Sequence, residues 1–172
     1  MMREVYRKEK RRIRYARWSY LAVCWILYLI KLQGQIPSPY APFYKESLGK
    51  AVSFDGGLLI LMGIFLLLFI NNTLFFIQEQ GNWVYVLEKY MIVPIHKKKL
   101  YNLRVRIFLE TIVCFVIGVC GIYMVITIVN DCIFSPMILF LSAIKLLCIL
   151  VILMILILVF ESRSWERQQQ RK

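Results

Sequence analysis

Long apolar blocks separated by short, mostly basic stretches dominate this sequence. Three blocks of 21 to 24 residues lie at 57–77, 107–129 and 137–160, each interrupted by only a few polar residues. A helix rises about 1.5 Å per residue, so roughly 20 apolar residues cross a hydrocarbon core ~30 Å thick. The pattern therefore predicts three membrane-spanning helices.

The first apolar block is shorter and more polar. Residues 18–32 number only 15, and an extension back to residue 13 gives 20 but includes Arg14 and Arg17. Long basic side chains can reach the headgroups from the start of a span. We predict a basic amphipathic segment over 1–17 that runs into a fourth span over about 13–32.

The basic residues lie overwhelmingly on one predicted side of the membrane. Eighteen Lys and Arg occur in the N-terminal segment, in the loop 78–106 and in the tail 161–172, whereas three occur in the opposite connections. Because cytoplasmic loops carry the excess of Lys and Arg, both termini are predicted to be cytoplasmic. The sequence thus predicts an all-α polytopic membrane protein with a four-helix transmembrane domain over 18–160 and a basic cytoplasmic tail.

The composition excludes several other classes of protein. Hydrophobic residues make up 60% of the 172 residues and charged residues 19%, against ~45–50% and ~25% in soluble domains. A soluble enzyme and a disulfide-stapled secreted domain are excluded, because the chain lacks the polar shell that such a core needs. Topology and anionic headgroups account for the net charge of +12, so the expected partner is membrane lipid and not nucleic acid.

Residues with catalytic potential are sparse. None of the five cysteines is spaced as a redox pair, and His96, the sole histidine, has no neighbouring ligand or acid for a metal site or a triad. A membrane enzyme acting on lipid would need clustered acids or nucleophiles, and the sequence has only scattered ones. We therefore predict no metal, no cofactor and no enzymatic activity in this chain.

Two charged residues lie inside predicted spans, where ionisable groups are costly and are candidates for function. Glu110 lies near the cytoplasmic start of the third span, where Arg106 four positions earlier can neutralise it. Lys145 lies eight residues into the last span. Three roles for Lys145 stay open: it reaches outward toward Asp131, faces a partner subunit, or lines a polar path.

A polar patch lies in the inner half of the second span. Asn71, Asn72 and Thr73 follow one another there. Amides in hydrocarbon need hydrogen-bond partners and commonly find them on neighbouring helices. We therefore expect this patch to contribute to packing between helices.

The cytoplasmic loop 78–106 is the most patterned polar segment. Apolar residues recur there at helical spacing, between a start at Gly81 and a stop at Pro94. The spacing predicts a short helix over 83–93 that lies parallel to the membrane on the cytoplasmic side. A compact basic cluster follows at headgroup depth, formed by Lys97, Lys98 and Lys99.

This loop resembles the first cytoplasmic loop of type-2 ATP-binding-cassette exporter permeases. The resemblance is carried by three short stretches, Glu79-Gln80-Gly81, Val86-Leu87-Glu88 and Pro94-Ile95-His96-Lys97-Lys98-Lys99-Leu100. In that family a coupling helix docks into a groove of a separate ATPase subunit and transmits its closure to the spans. The resemblance implies that this helix is framed by Glu79, Gly81, Leu87 and Pro94, and that its aromatic contacts are Trp83, Tyr85 and Tyr90.

The expected function follows from this resemblance, which covers roughly the first 130 residues. The chain would be the transmembrane subunit of an ATP-driven export complex in a bacterial inner membrane, and its partner would be a cytoplasmic ATPase subunit. Permeases of that family generally have six spans and this chain has four, so a further transmembrane subunit or a homo-oligomer would complete the path. The alternative is a non-transporting interaction, regulatory or immunity subunit.

Overall fold

A computed structural model describes residues 2–36, 52–79, 82–85, 97–130, 132 and 135–170. Within these ranges the chain forms four helices, α1 (Met2–Gln33), α2 (Gly56–Phe75), α3 (Lys97–Val129) and α4 (Pro136–Gln170). Two short antiparallel strands, β1 (Phe76–Glu79) and β2 (Asn82–Tyr85), follow α2 directly. The helical fold class is confirmed, and the strand pair is an addition that the sequence reading did not predict.

Three of the helices are long and apolar enough to cross a membrane in the part of the chain that is described. These segments are Gly56–Thr73, Arg104–Val129 and Pro136–Phe160. Each coincides with one of the three long apolar blocks, which supports an integral membrane protein. Helix α1 joins the basic N-terminal segment and the first apolar block in one continuous helix of 32 residues, but it is not among the three.

The helix starts agree with local sequence chemistry. Asp55 precedes α2, and its carboxylate oxygen Oδ1 accepts a hydrogen bond from the backbone N–H of Leu58 at 3.2 Å, which is an N-cap. Helix α4 begins at Pro136, a favourable first position because proline has no N–H to lose in the first turn. The predicted span 57–77 is two residues too long, since α2 ends at Phe75 and β1 begins at Phe76.

The predicted helix over 83–93 is wrong at its start, because Trp83, Val84 and Tyr85 lie in β2. Aromatic and β-branched residues favour strands, and β1 provides an adjacent backbone with which β2 can hydrogen-bond. Glu79 pairs with Asn82, so two residues, Gln80 and Gly81, separate the strands in sequence. A two-residue spacing with a glycine is typical of β-hairpins. The remainder of the predicted helix, 86–93, lies outside the described residues.

The helices follow the order α1–α3–α4–α2 around the bundle, and α2 also touches α3 across it. Helices α1 and α3 run parallel. Arg17 of α1 contacts Glu110 of α3, and eight residues further along each helix Trp25 lies against Gly118. This side of the bundle is therefore built from segments that are far apart in sequence.

Helices α1 and α2 run antiparallel. The ring of Tyr20 stacks on that of Phe69, with centroids 4.7 Å apart, and Lys31 near the end of α1 pairs with Asp55 at the start of α2. Two ends of the bundle are thereby defined. The Arg17 end contains Arg17 and Glu110, and the Asp55 end contains Lys31 and Asp55.

Two glycines allow close contact between helices. A Cβ atom on Gly118 would collide with the indole ring of Trp25, and one on Gly63 would collide with the end of the Leu150 side chain. Small residues at such positions let membrane helices approach closely, where van der Waals packing is the main attraction. These contacts join α1 to α3 and α2 to α4.

The Asp55 end is held by a short extended segment, residues 52–55, between the helices. The Tyr123 hydroxyl donates to the Val52 carbonyl at 2.8 Å, and the Ser53 N–H and hydroxyl donate to Oε1 of Gln35 at 3.2 and 3.3 Å. The ring of Phe54 contacts the rings of Tyr28 and Tyr123 edge-on. This segment therefore fixes the ends of α1 and α3 to the start of α2.

Candidate functional site

The Arg17 end contains an ion cluster of three side chains, Arg17, Arg106 and Glu110. Nε of Arg106 lies 3.0 Å from Oε1 of Glu110, and Nη1 of Arg17 lies 3.4 Å from Oε2. The predicted neutralisation of Glu110 by Arg106 is confirmed. Arg17, which is 93 positions away in sequence, is a second partner that the sequence reading missed.

The two arginines of this ion cluster differ in exposure. The side chain of Arg17 is 14% exposed and that of Arg106 is 78% exposed, while Glu110 is 46% exposed. Arg17 also places its guanidinium carbon 5.6 Å from the centre of the Trp18 ring, a cation–π arrangement. The Arg106 contact is the shorter one, whereas the Arg17 contact is less screened by salt and solvent and connects α1 with α3.

A further basic residue, Arg104, lies almost fully buried on α3, with 4% of its surface exposed. Sequence reasoning assigned it to a loop and missed this burial. Arg104, Phe108, Thr111 and Phe115 follow one another at intervals of four, three and four, and all four are buried. That spacing is the seam of a packed helix, so extending the helical period of α3 toward its N-terminus would have placed Arg104 in the interior.

The three residues of the polar patch on α2 differ in exposure and in hydrogen bonding. Asn71 is half-buried and Asn72 is exposed. The hydroxyl of Thr73 donates to the carbonyl of Ile70 in its own helix at 3.0 Å. Asn71 and Thr73 therefore lie toward the bundle, and bonding between helices through this patch stays a prediction.

Lys145 is exposed on the outward face of α4. Its neighbours on this face are exposed as well, and we name these residues the α4 face: Leu141, Lys145, Cys148 and Ile152. A lysine at the centre of a membrane helix costs about 2.5–3.5 kcal/mol on insertion scales. Lys145 does not point into the interior of this bundle, and its role stays a prediction.

The five cysteines are all free thiols. Cys24 is buried, Cys148 is exposed beside Lys145, and the other three are half-buried. In the described part of the chain, no group of His, Cys, Asp and Glu side chains is arranged to hold a metal ion. His96 lies outside the described residues.

The residues of the predicted coupling segment fall partly in the strand pair. Glu79 ends β1, and Trp83 and Tyr85 lie on β2 opposite Gln78 and Phe76. The four others lie outside the described residues: Gly81, Leu87, Tyr90 and Pro94.

The basic cluster Lys97, Lys98 and Lys99 opens α3, and no acidic residue accompanies it in the first turn. The positive end of the helix dipole disfavours cations at that position. An external anion would offset this cost. The predicted contact of the cluster with lipid headgroups is consistent with this placement, and it stays a prediction.

Comparison with known proteins finds no match for this chain. No family model matches the chain, no curated protein matches it, and no solved structure matches it. Function therefore has to be argued from the bundle, the ion cluster and the α4 face.

Proposed function

We propose that this chain is the transmembrane subunit of an ATP-driven export complex in a bacterial cytoplasmic membrane. The observation that carries the proposal is that α2 ends and α3 begins at the Arg17 end, and that the permease-like residues 79–100 run in sequence from the end of β1 into the first turn of α3. A cytoplasmic ATPase subunit would bind this segment. Both termini are proposed to be cytoplasmic, on the side of the basic residues.

The packing of α1 supports a fourth span. Contacts between α1 and α3 run from Glu110 to Gly118, and Tyr28 and Tyr123 meet through Phe54. From Glu110 to Tyr123 a helix rises ~20 Å, so α1 accompanies a membrane-crossing helix through most of the hydrocarbon. The outer face of α1 is apolar and exposed, as lipid contact requires: Val23, Ile26, Leu27 and Ile30.

The apolar interior supports a complex of more than one membrane subunit. Among the described residues, the buried polar side chains are Arg104, Thr111 and Thr127. Both threonine hydroxyls donate to carbonyls of their own helix, at 2.7 and 2.9 Å. Leu, Ile, Val and Phe make up most of the other buried residues, so an export path for a polar cargo would lie between this chain and a further transmembrane subunit.

The connections at the Arg17 end support transmission of movement. Strand β1 continues from α2 without an intervening residue, and α3 is joined to α1 through Glu110 and Arg17. A displacement of the segment between α2 and α3 would therefore act on three helices together. This is the mechanical property that a coupling segment requires.

A second candidate function is a non-transporting interaction subunit, of regulatory or immunity type. The outward position of Lys145 favours it, because a charge on the outer surface serves association and not passage through this chain. Such a subunit would bind its membrane partner through the helices and would not need the segment 79–100 to contact an ATPase.

Purification of the full chain in mild detergent separates the two functions. An export subunit is expected to bring an ATP-hydrolysing protein with it, and the double variant Leu87→Asp/Tyr90→Asp is expected to lose that protein. The matched control Gln168→Asp/Gln169→Asp adds the same charge to the tail and should retain it. If hydrolysing activity stays bound to the Leu87/Tyr90 variant, the coupling assignment fails; if no ATPase accompanies the wild-type chain, the second function is favoured.

A further inference from the structure

We infer that the α4 face docks a transmembrane helix of another protein, and that this helix carries an aspartate or glutamate level with Lys145. The inference rests on the exposure, depth and charge of this face. It does not depend on whether the complex is an exporter.

The α4 face has the spacing of a helix-packing seam. Leu141, Lys145, Cys148 and Ile152 are separated by four, three and four positions, the interval at which one side of a helix meets a partner helix. All four are exposed in the bundle, whereas the opposite side of α4 holds buried residues such as Leu146 and Leu150. The outer side of α4 is therefore an exposed helix surface that carries the positive charge of Lys145.

The depth of Lys145 favours a charged partner. It lies nine residues after Pro136, the first residue of the membrane-crossing segment Pro136–Phe160. Nine residues rise ~13 Å, close to the middle of a hydrocarbon core ~30 Å thick. A charge at that depth commonly pairs with another ionisable group, and a carboxylate forms the strongest hydrogen bond with an ammonium group.

Two acidic side chains are described by the structure, and both are engaged elsewhere. Asp55 pairs with Lys31 and caps α2 at the Asp55 end, and Glu110 is held by Arg17 and Arg106 at the Arg17 end. Neither of them is left for Lys145, so the inference assigns its carboxylate to another molecule.

A second copy of this chain does not fit the α4 face. Two parallel copies related by a two-fold axis would bring the same surface together, because such an interface is self-complementary. The two Lys145 ammonium groups would then face each other in hydrocarbon. Charge complementarity selects a different protein with an acidic residue in its membrane helix.

The test uses a designed probe and the full-length chain in phosphatidylcholine vesicles. The probe is a single-span polyleucine helix with one Asp at its central position, and its matched control has Leu there. Energy transfer between labels on the chain and the probe reports association. We expect the Asp probe to bind the wild-type chain at least ~30-fold more tightly than the Lys145→Leu variant, the factor for removing one member of a desolvated charge pair.

Two further variants test the charge itself. Lys145→Arg is expected to retain binding of the Asp probe, and Lys145→Asp is expected to lose it and to bind a probe with a central Lys instead. Circular dichroism of each variant shows that the helices are retained. Equal binding of the Asp probe to the wild-type chain and to Lys145→Leu would overturn the inference.

Two other outcomes would also overturn it. If Asp131→Asn or Glu46→Gln strengthens binding of the Asp probe severalfold, Lys145 is paired within its own chain and the outward face is not a docking site. If energy transfer between two labelled copies of the chain is present in the wild type and lost in Lys145→Leu, the occupant of the face is a second copy.

Discussion

Helices α3 and α4 are both apolar and both long enough to cross a membrane, yet their places in the bundle are different. Helix α3 contacts α1, α2 and α4, and 39% of its membrane segment is buried, against 22% for α4. The less buried helix is also the more hydrophobic one. Lipid is as apolar as a protein interior. The hydrophobicity of a helix therefore indicates that it lies in the membrane, but not how much of it is buried within the bundle.

The largest expected change in stability is for a substitution on the buried side of α3. Ile112 is 1% exposed and Ile117 is 66% exposed. We expect Ile112→Ala to lower the free energy of unfolding by about 2 kcal/mol, the low end of the range for soluble cores. The cost is at the low end because the Ile112 side chain is in apolar surroundings both in the folded bundle and, after the helices separate, in lipid or detergent. Ile117→Ala should have little effect. Unfolding by SDS in mixed micelles measures both, and equal losses would contradict the burial of Ile112 against the outward position of Ile117.

The next effect compares the two glycine contacts. Gly118→Ala would push a methyl group into the rigid indole of Trp25, and we expect a loss of about 1–3 kcal/mol. Gly63→Ala should cost less, because its contact is the flexible end of Leu150. Gly121 has nothing within 4 Å of a built Cβ, so Gly121→Ala is the control and should be neutral or stabilising. The same SDS titration ranks the three, and a loss in Gly121→Ala as large as in Gly118→Ala would contradict the Trp25 contact.

Glu110 and Lys145 allow the same comparison between α3 and α4. Glu110→Gln removes the anion beside Arg17, which is only 14% exposed, and we expect a loss of about 1 kcal/mol, the upper end of the range for surface ion pairs. Lys145→Leu removes an outward charge that has no contact in the described bundle, and the isolated chain should not lose stability. A loss in Lys145→Leu equal to that in Glu110→Gln would place Lys145 inside the bundle. Thermal unfolding in detergent makes this comparison.

The smallest effect separates the two arginines that bind Glu110. Arg106 is 78% exposed, so Arg106→Gln is expected to cost only ~0.3–0.5 kcal/mol, as for other helix pairs four residues apart. Added salt should weaken this pair more than the Arg17 pair. Double-mutant cycles at low and high salt measure the two coupling energies; an equal salt dependence of the two would contradict the difference in screening.

The membrane-crossing helices could be predicted because each is specified by its own stretch of sequence. About 20 consecutive apolar residues specify a span without reference to the rest of the chain, and Pro136 marks the start of α4 by its own chemistry. The pairing of Glu110 with Arg106 was equally local, since both lie on one turn of α3. Each of these features depends on neighbours within a few positions.

The contacts that could not be predicted join distant segments. Nothing near Gly118 in sequence indicates that Trp25 lies against it, and nothing near Glu110 indicates Arg17. The strand pair was missed for a different reason. The helical spacing was read from Trp83, Leu87 and Tyr90, whereas Trp83 and Tyr85 are two residues apart, as in a strand. The pairing of β2 with the adjacent strand β1 decided between the two.

The parallel pairing of α1 with α3 has a consequence for the order of biosynthesis. Arg17 and its counter-charge Glu110 are 93 positions apart. At ~5–20 residues per second, roughly 5–20 s separate their synthesis. During that interval α1, the least apolar of the described helices, has neither its anion nor the glycine surface that receives Trp25. We therefore expect α1 to take its final depth in the membrane only when α3 arrives, although α1 is synthesised before it.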